Sequence, residues 1–109
     1  MDIEVADKET ARILRLQGRL DAATVARQKA ELGESTDTDK PLVVLNLAGI
    51  DFIDSTGLGM IVSLYRRLRE QDRDLAITNL SPQARMLFEL TRMHRIFNIF
   101  DNEGLALAE

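Results

Sequence analysis

The segment Leu42-Val43-Val44-Leu45-Asn46-Leu47 is apolar at every position but one. A strand with one wet face alternates polar and apolar residues, whereas a run this continuous reads as a strand covered on both faces. A strand of that kind needs layers above and below it, and it dictates what the flanking segments have to supply.

Upstream, residues 2–6 alternate weakly, and Arg12-Ile13-Leu14-Arg15-Leu16-Gln17 alternates better before ending at Gly18. The charged Asp7-Lys8-Glu9-Thr10 between them is turn-like, so an antiparallel hairpin is expected. Asp21 stands where a helix could be capped. Val25, Ala26, Ala30 and Leu32 are spaced for a helix over residues 22–32, with Gly33 as its stop. Residues 34–40 are polar and read as a solvated loop that Pro41 ends.

Downstream, residues 49–53 lead into the turn Asp54-Ser55-Thr56-Gly57, and a helix is expected from there to about Glu70. Leu58, Ile61, Leu64, Tyr65 and Leu68 fall in one stripe of that helix. Arg66, Arg67 and Arg69 occupy its last turns, where cations suit the negative end of the dipole; with Arg73 they read as a solvated helix end. Asp74-Leu75-Ala76-Ile77-Thr78 is a short strand. Ser81-Pro82 opens a further helix with proline at its first position, and Met86, Leu87 and Leu90 form its expected stripe. Residues 96–100 are expected to be extended and residues 103–108 to form a short helix. Phe88, Phe97 and Phe100 are assigned to the core, and His94 to a surface or capping role. This order implies an α/β fold: an open mixed sheet of four to five strands, parallel in its later part, with about four helices and right-handed crossovers. A chain of 109 residues is expected to be one domain, residues 1–109.

Composition narrows the function. Lys+Arg 14 against Asp+Glu 18 leaves a net charge of −4, which argues against the basic face that direct nucleic-acid binding needs. There is no cysteine and a single histidine, His94, so neither thiolate nor histidine metal chemistry is expected, and no cofactor is implied. The apolar runs fall far short of the ~20 residues of a membrane crossing, and the acidic, alternating start is unlike a signal peptide. A cytoplasmic protein without membrane association is expected. No G-x-S-x-G, no phosphate-binding glycine loop with lysine and no base beside Ser55 is present, so an enzyme, or a small nucleotide-binding α/β protein, is disfavoured.

Attention therefore falls on the turn at residues 54–57. Ligands and partners meet open α/β sheets at the carboxyl ends of the strands, where this turn is expected. The plainer alternative is that Asp54 or Ser55 acts only as an N-cap, accepting an N–H of the first helical turn. Gly57 and Gly59 ask for more, because each costs ~1 kcal/mol against alanine inside a helix. Gly57 lies on the core stripe and would permit close helix–sheet packing. Gly59 lies on the outer face and would leave a flat patch beside Ser55. Met60, off the core stripe, is expected as an apolar anchor for a partner.

The octet Phe52-Ile53-Asp54-Ser55-Thr56-Gly57-Leu58-Gly59 resembles the D-S-[S/T]-G-L-G phosphorylation segment of bacterial anti-sigma factor antagonists, the STAS-domain family. Gly18-Arg19-Leu20-Asp21 is similar to that family's G-x-L-D turn after the second strand. The apolar run 42–47 resembles its buried strand, and Ser81-Pro82 with Leu87-Phe88 and Ile96-Phe97 resembles its closing half. The resemblance implies a STAS fold and a partner switch. The unphosphorylated antagonist would bind an anti-sigma factor that is also a serine kinase, freeing the sigma factor. The kinase would phosphorylate Ser55, with Thr56 in the second hydroxyl position, and a PP2C-type phosphatase would reverse it. Asp21, Asp54, Thr56, Gly57, Gly59 and Met60 would then belong to the partner-binding surface. The alternative within the same family is an interaction module of another complex, in lipid transport or stress signalling, with a structural Ser55.

Overall fold

The computed structural model describes residues 1–108. Five strands form one sheet in the order β1-β2-β3-β4-β5. β1 (Asp2–Asp7) and β2 (Ala11–Leu20) make the expected antiparallel hairpin, and β3 (Leu42–Ile53), β4 (Asp74–Thr78) and β5 (Asn98–Phe100) add in parallel. Helices α1 (Ala22–Ser35), α2 (Ser55–Glu70) and α3 (Pro82–Leu90) make the crossovers, and α4 (Glu103–Leu107) follows the last strand.

The apolar run lies in the middle of the sheet, as its composition requires. Val43, Leu45 and Leu47 pack in a cluster with Leu14, Leu16, Ile61, Leu64, Leu75, Ile77 and Phe88. Val44 points the other way, to Ile13, Ala76 and Ala106 of α4. Each buried Val or Leu contributes about 1.5–3 kcal/mol relative to exposure, so this strand is the main anchor of both layers.

Several boundaries differ from expectation, each for a tertiary reason. β3 runs past Leu47 to Ile53, because β2 continues beside it to Leu20↔Ile53 through two register shifts. β4 stops at Thr78, opposite Asn46, so the end of β3 has no β4 partner. Helix α1 passes through Gly33 to Ser35. Gly33 serves close approach instead of a stop: a Cβ there would lie 3.2 Å from Arg67 Nη1, and Arg67 Nη2 donates to the Gly33 carbonyl (3.0 Å) and Thr36 Oγ1 (2.6 Å). Arg73 is not solvated; it is buried and donates to the carbonyls of Lys40 (2.8 Å) and Thr36 (3.0 Å) and to Gln71 Oε1 (2.8 Å). Arg67 and Arg73 thus satisfy acceptors at and beyond the negative end of α1.

Helix α3 is rotated from its expected stripe. Ala84 and Phe88 are buried, Leu87 is half-buried, and Met86 and Leu90 are exposed. Phe88 takes the core position because it stacks edge-on to Phe97 at 5.8 Å, which in turn meets Tyr65 at 5.1 Å. Residues 96–100 are only partly extended: a 3-10 turn at Met93–Arg95 precedes Ile96, which is exposed, and β5 begins at Asn98. His94 is exposed, with Nδ1 3.3 Å from the Phe88 carbonyl near the end of α3.

Candidate functional site

Helices α1, α2 and α3 begin at the carboxyl edge of the sheet, each capped by a side chain from the residue after or near a strand end. Asp21, Asp54 and Ser81 accept the N–H of Thr24 (3.0 Å), Gly57 (2.9 Å) and Ala84 (3.1 Å). These are the orphan donors of each first turn. Asp54, not Ser55, is therefore the cap of α2. Ser55 is its first residue, and Ser55 and Thr56 are both exposed.

Asp54 also joins two turns. Its Oδ1 caps α2, while Oδ2 accepts the N–H of Ala22, the first residue of α1 (3.2 Å). Its own N–H donates to the Leu20 carbonyl at 3.3 Å. The Gly18–Asp21 and Asp54–Gly57 turns are thereby brought together. Asp21 sits beside this junction, accepting from Thr24 N–H and Oγ1 (2.9 Å) and from Arg19 Nε (3.1 Å). The Thr24 bonds, reinforced by Arg19, hold its carboxyl down to about 2, so it is ionised at neutral pH. Arg19 lies 4.5 Å above the Phe52 ring, a cation–π contact that orients it.

The two glycines divide as expected. Gly57 is buried, and a Cβ there would collide with the Leu20 carbonyl oxygen, so α2 reaches the sheet only because position 57 has none. Gly59 is exposed and faces open space. Met60 departs from expectation. It is 6% exposed, packed beside Leu20, Thr24, Val25 and Leu32. Helix α2 is covered by α1 as well as by the sheet, so its buried arc is wider than the single stripe read from periodicity. Ser55, Thr56 and Gly59 remain as an exposed, small-residue face, with Ser63 Oγ donating to the Gly59 carbonyl (3.1 Å).

Gln83 is a site residue that sequence reasoning missed. Its side-chain amide accepts the N–H of Ile53 (3.1 Å) and donates to the Ile53 carbonyl (2.9 Å). Ile53 directly precedes the turn, and Gln83 stands in for the absent β4 partner. The signal was hidden because the two residues are 30 apart. A cleft of about 710 Å³ lies between α1 and the last turns of α2 and is lined by Arg27, Lys29, Arg67 and Arg73; the turn at 54–57 is not part of it. Among the described residues no cluster of His, Cys, Asp and Glu could hold a metal ion, and no helix is long and apolar enough to cross a membrane.

The STAS domain model matches residues 2–106. The chain belongs to the STAS domain family. This STAS domain is 29% identical over 110 residues to the anti-sigma F factor antagonist of Paenibacillus polymyxa, covering 100% of this chain and 94% of that one. It is 30% identical over 105 residues to the anti-sigma-B factor antagonist of Listeria monocytogenes, covering 95% and 92%. Among solved structures it is similar to the anti-sigma factor antagonist SpoIIAA in its unphosphorylated form, with TM-score 0.79 and 21% identity over 97% of this chain and 93% of that one. The Bacillus SpoIIAA structure in the phosphorylated form gives TM-score 0.72, with 21% identity over 98% and 97%. At that identity the structural likeness establishes the STAS fold.

Proposed function

We propose that this STAS domain, as a single module, is an anti-sigma factor antagonist that works by partner switching at Ser55. In its unmodified form it binds an anti-sigma factor with serine-kinase activity and so releases the sigma factor. The kinase moves the γ-phosphoryl group of ATP to Ser55 Oγ, giving ADP and a proton, and the modified chain lets go. A PP2C-type phosphatase hydrolyses the ester and restores binding. No direct contact with nucleic acid or membrane enters this cycle, and it belongs in the cytoplasm with the sigma factor.

The observation that carries this reading is the exposure of Ser55 at the first position of α2 while Asp54 does the capping. A structural serine would be the cap; here the hydroxyl is left for another molecule. The names of the Paenibacillus and Listeria relatives support the antagonist role.

The chemistry of the site suits a switch that leaves the fold intact. A phosphate at Ser55 adds about −1.5 to −2 charges and three acceptor oxygens. The N-terminus of a helix tolerates such a group, with about 0.3–1 kcal/mol of favourable dipole interaction at an exposed site. Asp54 and the ionised Asp21 add negative charge to the same face. A partner that accepts the small, flat face of Ser55, Thr56 and Gly59 would have to desolvate that accumulated charge, which costs affinity at the interface. Asp21, Asp54, Thr56 and Gly59 are the contact residues of this reading; Gly57 acts from beneath, by setting the height of α2.

Capture from the host lysate with wild type, Ser55→Ala and Ser55→Asp, followed by mass spectrometry of bait and prey, tests it. A kinase-type anti-sigma factor held by Ser55→Ala and lost by Ser55→Asp, with phosphate mapped to Ser55 of the wild type, is the expected result. The same non-kinase complex on all three, with Ser55 unmodified, would instead make this an interaction module of another assembly.

A further inference from the structure

Ile53 is the last residue of β3, and its two backbone groups face the side from which β4 has already withdrawn. A strand end in that position has an N–H and a C=O to satisfy, and unpaired backbone is costly and mobile. Gln83, in the first turn of α3, answers both with one side chain: Oε1 takes the N–H at 3.1 Å and Nε2 gives to the carbonyl at 2.9 Å. The amide has the same donor–acceptor pair as a peptide group, so it closes the edge as a one-residue strand would. The next residue, Asp54, caps α2, holds Ala22 of α1 and precedes Ser55. The path from α3 to the Ser55 hydroxyl is therefore Gln83, Ile53, Asp54, with each link a hydrogen bond or a peptide bond. Helix α3 is otherwise fixed by Ala84 and Phe88 in the core, so the amide projects from a rigid support.

We infer that Gln83 is a positioning residue for Ser55: it locks the Ile53 peptide groups so that the Asp54–Gly57 turn presents the hydroxyl in one geometry to kinase and partner. This rests on the reading of Ser55 as the switch residue. Recognition of a turn depends on its being pre-organised, since ordering it at the moment of contact subtracts from the affinity for kinase and partner alike. Gln83 itself is exposed, so its loss opens the clamp without leaving a hole in the core.

The test compares wild type with Gln83→Met, which keeps side-chain length and removes both hydrogen bonds. Amide hydrogen exchange is followed at Asp54, Gly57 and Leu58, whose N–H groups are bonded within the junction, and at Val44 and Leu45 in the core strand. Alongside it, the kinase-type anti-sigma factor recovered with Ser55→Ala is used to measure binding and the kcat and KM of Ser55 phosphorylation. The expected result is exchange about tenfold faster at Asp54, Gly57 and Leu58 with Val44 and Leu45 unchanged. Partner affinity should fall about fivefold to tenfold, and KM should rise by a similar factor at constant kcat. Unchanged exchange in the junction, or faster exchange with wild-type affinity and KM, would overturn the inference. A wild-type chain that the kinase neither binds nor phosphorylates sinks the Ser55 reading and the inference with it. A responsive wild type beside an equally responsive Gln83→Met sinks the inference alone.

Discussion

The Cβ that any residue but glycine would carry at position 57 falls on the carbonyl oxygen of Leu20. Backbone, not a flexible side chain, is in the way, so α2 would have to lift from the sheet. Gly57→Ala is expected to lose about 1–3 kcal/mol, as overpacking of a tight contact does. Gly59→Ala, two residues on, meets open space and is expected to gain about 0.5–1 kcal/mol from helix propensity. Urea unfolding of the two variants checks both signs, and Gly57→Ala should also move the Ser55 face.

Asp54 is expected to show graded losses. Asp54→Ala removes the α2 cap and the tether to Ala22 and should cost about 1–2 kcal/mol. Asp54→Asn keeps a carbonyl oxygen for Gly57 but presents an NH₂ group to the Ala22 N–H, so it should fall between wild type and alanine. Equal stability of the asparagine variant and wild type would show that the junction with α1 contributes nothing.

How much of this was legible in the sequence depended on distance along the chain. The caps at Asp21, Asp54 and Ser81 act on the third residue after them, so the residue types alone marked the helix starts. The buried strand, the hairpin and the placement of Gly57 against the sheet and Gly59 on the outer face followed from local pattern too. Met60 was misplaced because α1 packs on α2, which no period within α2 reports. The stripe of α3 was misread because Phe97, from beyond the helix, selects Phe88 for the core. Gly33 resembled a helix stop, and its purpose became visible only with Arg67 beside it. Gln83 had no local signal at all.

Helix α4 is held by a charge cluster that acid should release. Glu103 accepts from Arg15 Nε (2.8 Å) and Nη2 (2.9 Å) and from Asn46 Nδ2 (2.6 Å). The Arg15 bonds, with Asn46 adding, hold its carboxyl at about 2 against an ordinary 4.5. The folded value lies below the unfolded one, so the stabilisation is complete above about 4.5 and is lost as pH falls through about 2. Resonances of Leu105 and Ala106 in the folded chain should therefore hold steady near pH 4.5 and move only as pH falls through about 2. Glu103→Gln should cost about 1–2 kcal/mol at neutral pH and flatten the acid limb of the stability profile. An acid limb as steep as that of wild type would contradict this assignment.

Arg92 has φ 62°, in the left-handed region, where a residue with a Cβ is strained by about 1–2 kcal/mol and glycine is not. Its backbone conformation is imposed by the step from α3 into the 3-10 turn at Met93–Arg95. Arg92→Gly is expected to relieve that strain and, after the ~0.4–1 kcal/mol that glycine adds to the entropy of the unfolded chain, to stabilise the domain by about 0.5–1 kcal/mol. A thermal midpoint raised by several degrees is the outcome to look for; a lowered one would mean that the Arg92 side chain makes a compensating contribution.

The most direct measurement is the affinity of the purified kinase-type anti-sigma factor for this STAS domain, unmodified and stoichiometrically phosphorylated at Ser55, by titration calorimetry at one ionic strength. The cost of desolvating the added phosphate charge at the interface should raise Kd by about 100-fold on phosphorylation, while amide spectra away from residues 54–60 stay those of the unmodified fold. Equal affinity for the two forms would contradict the switch at Ser55, and a wholesale change in the spectra would contradict the claim that it acts at the interface and not through the fold.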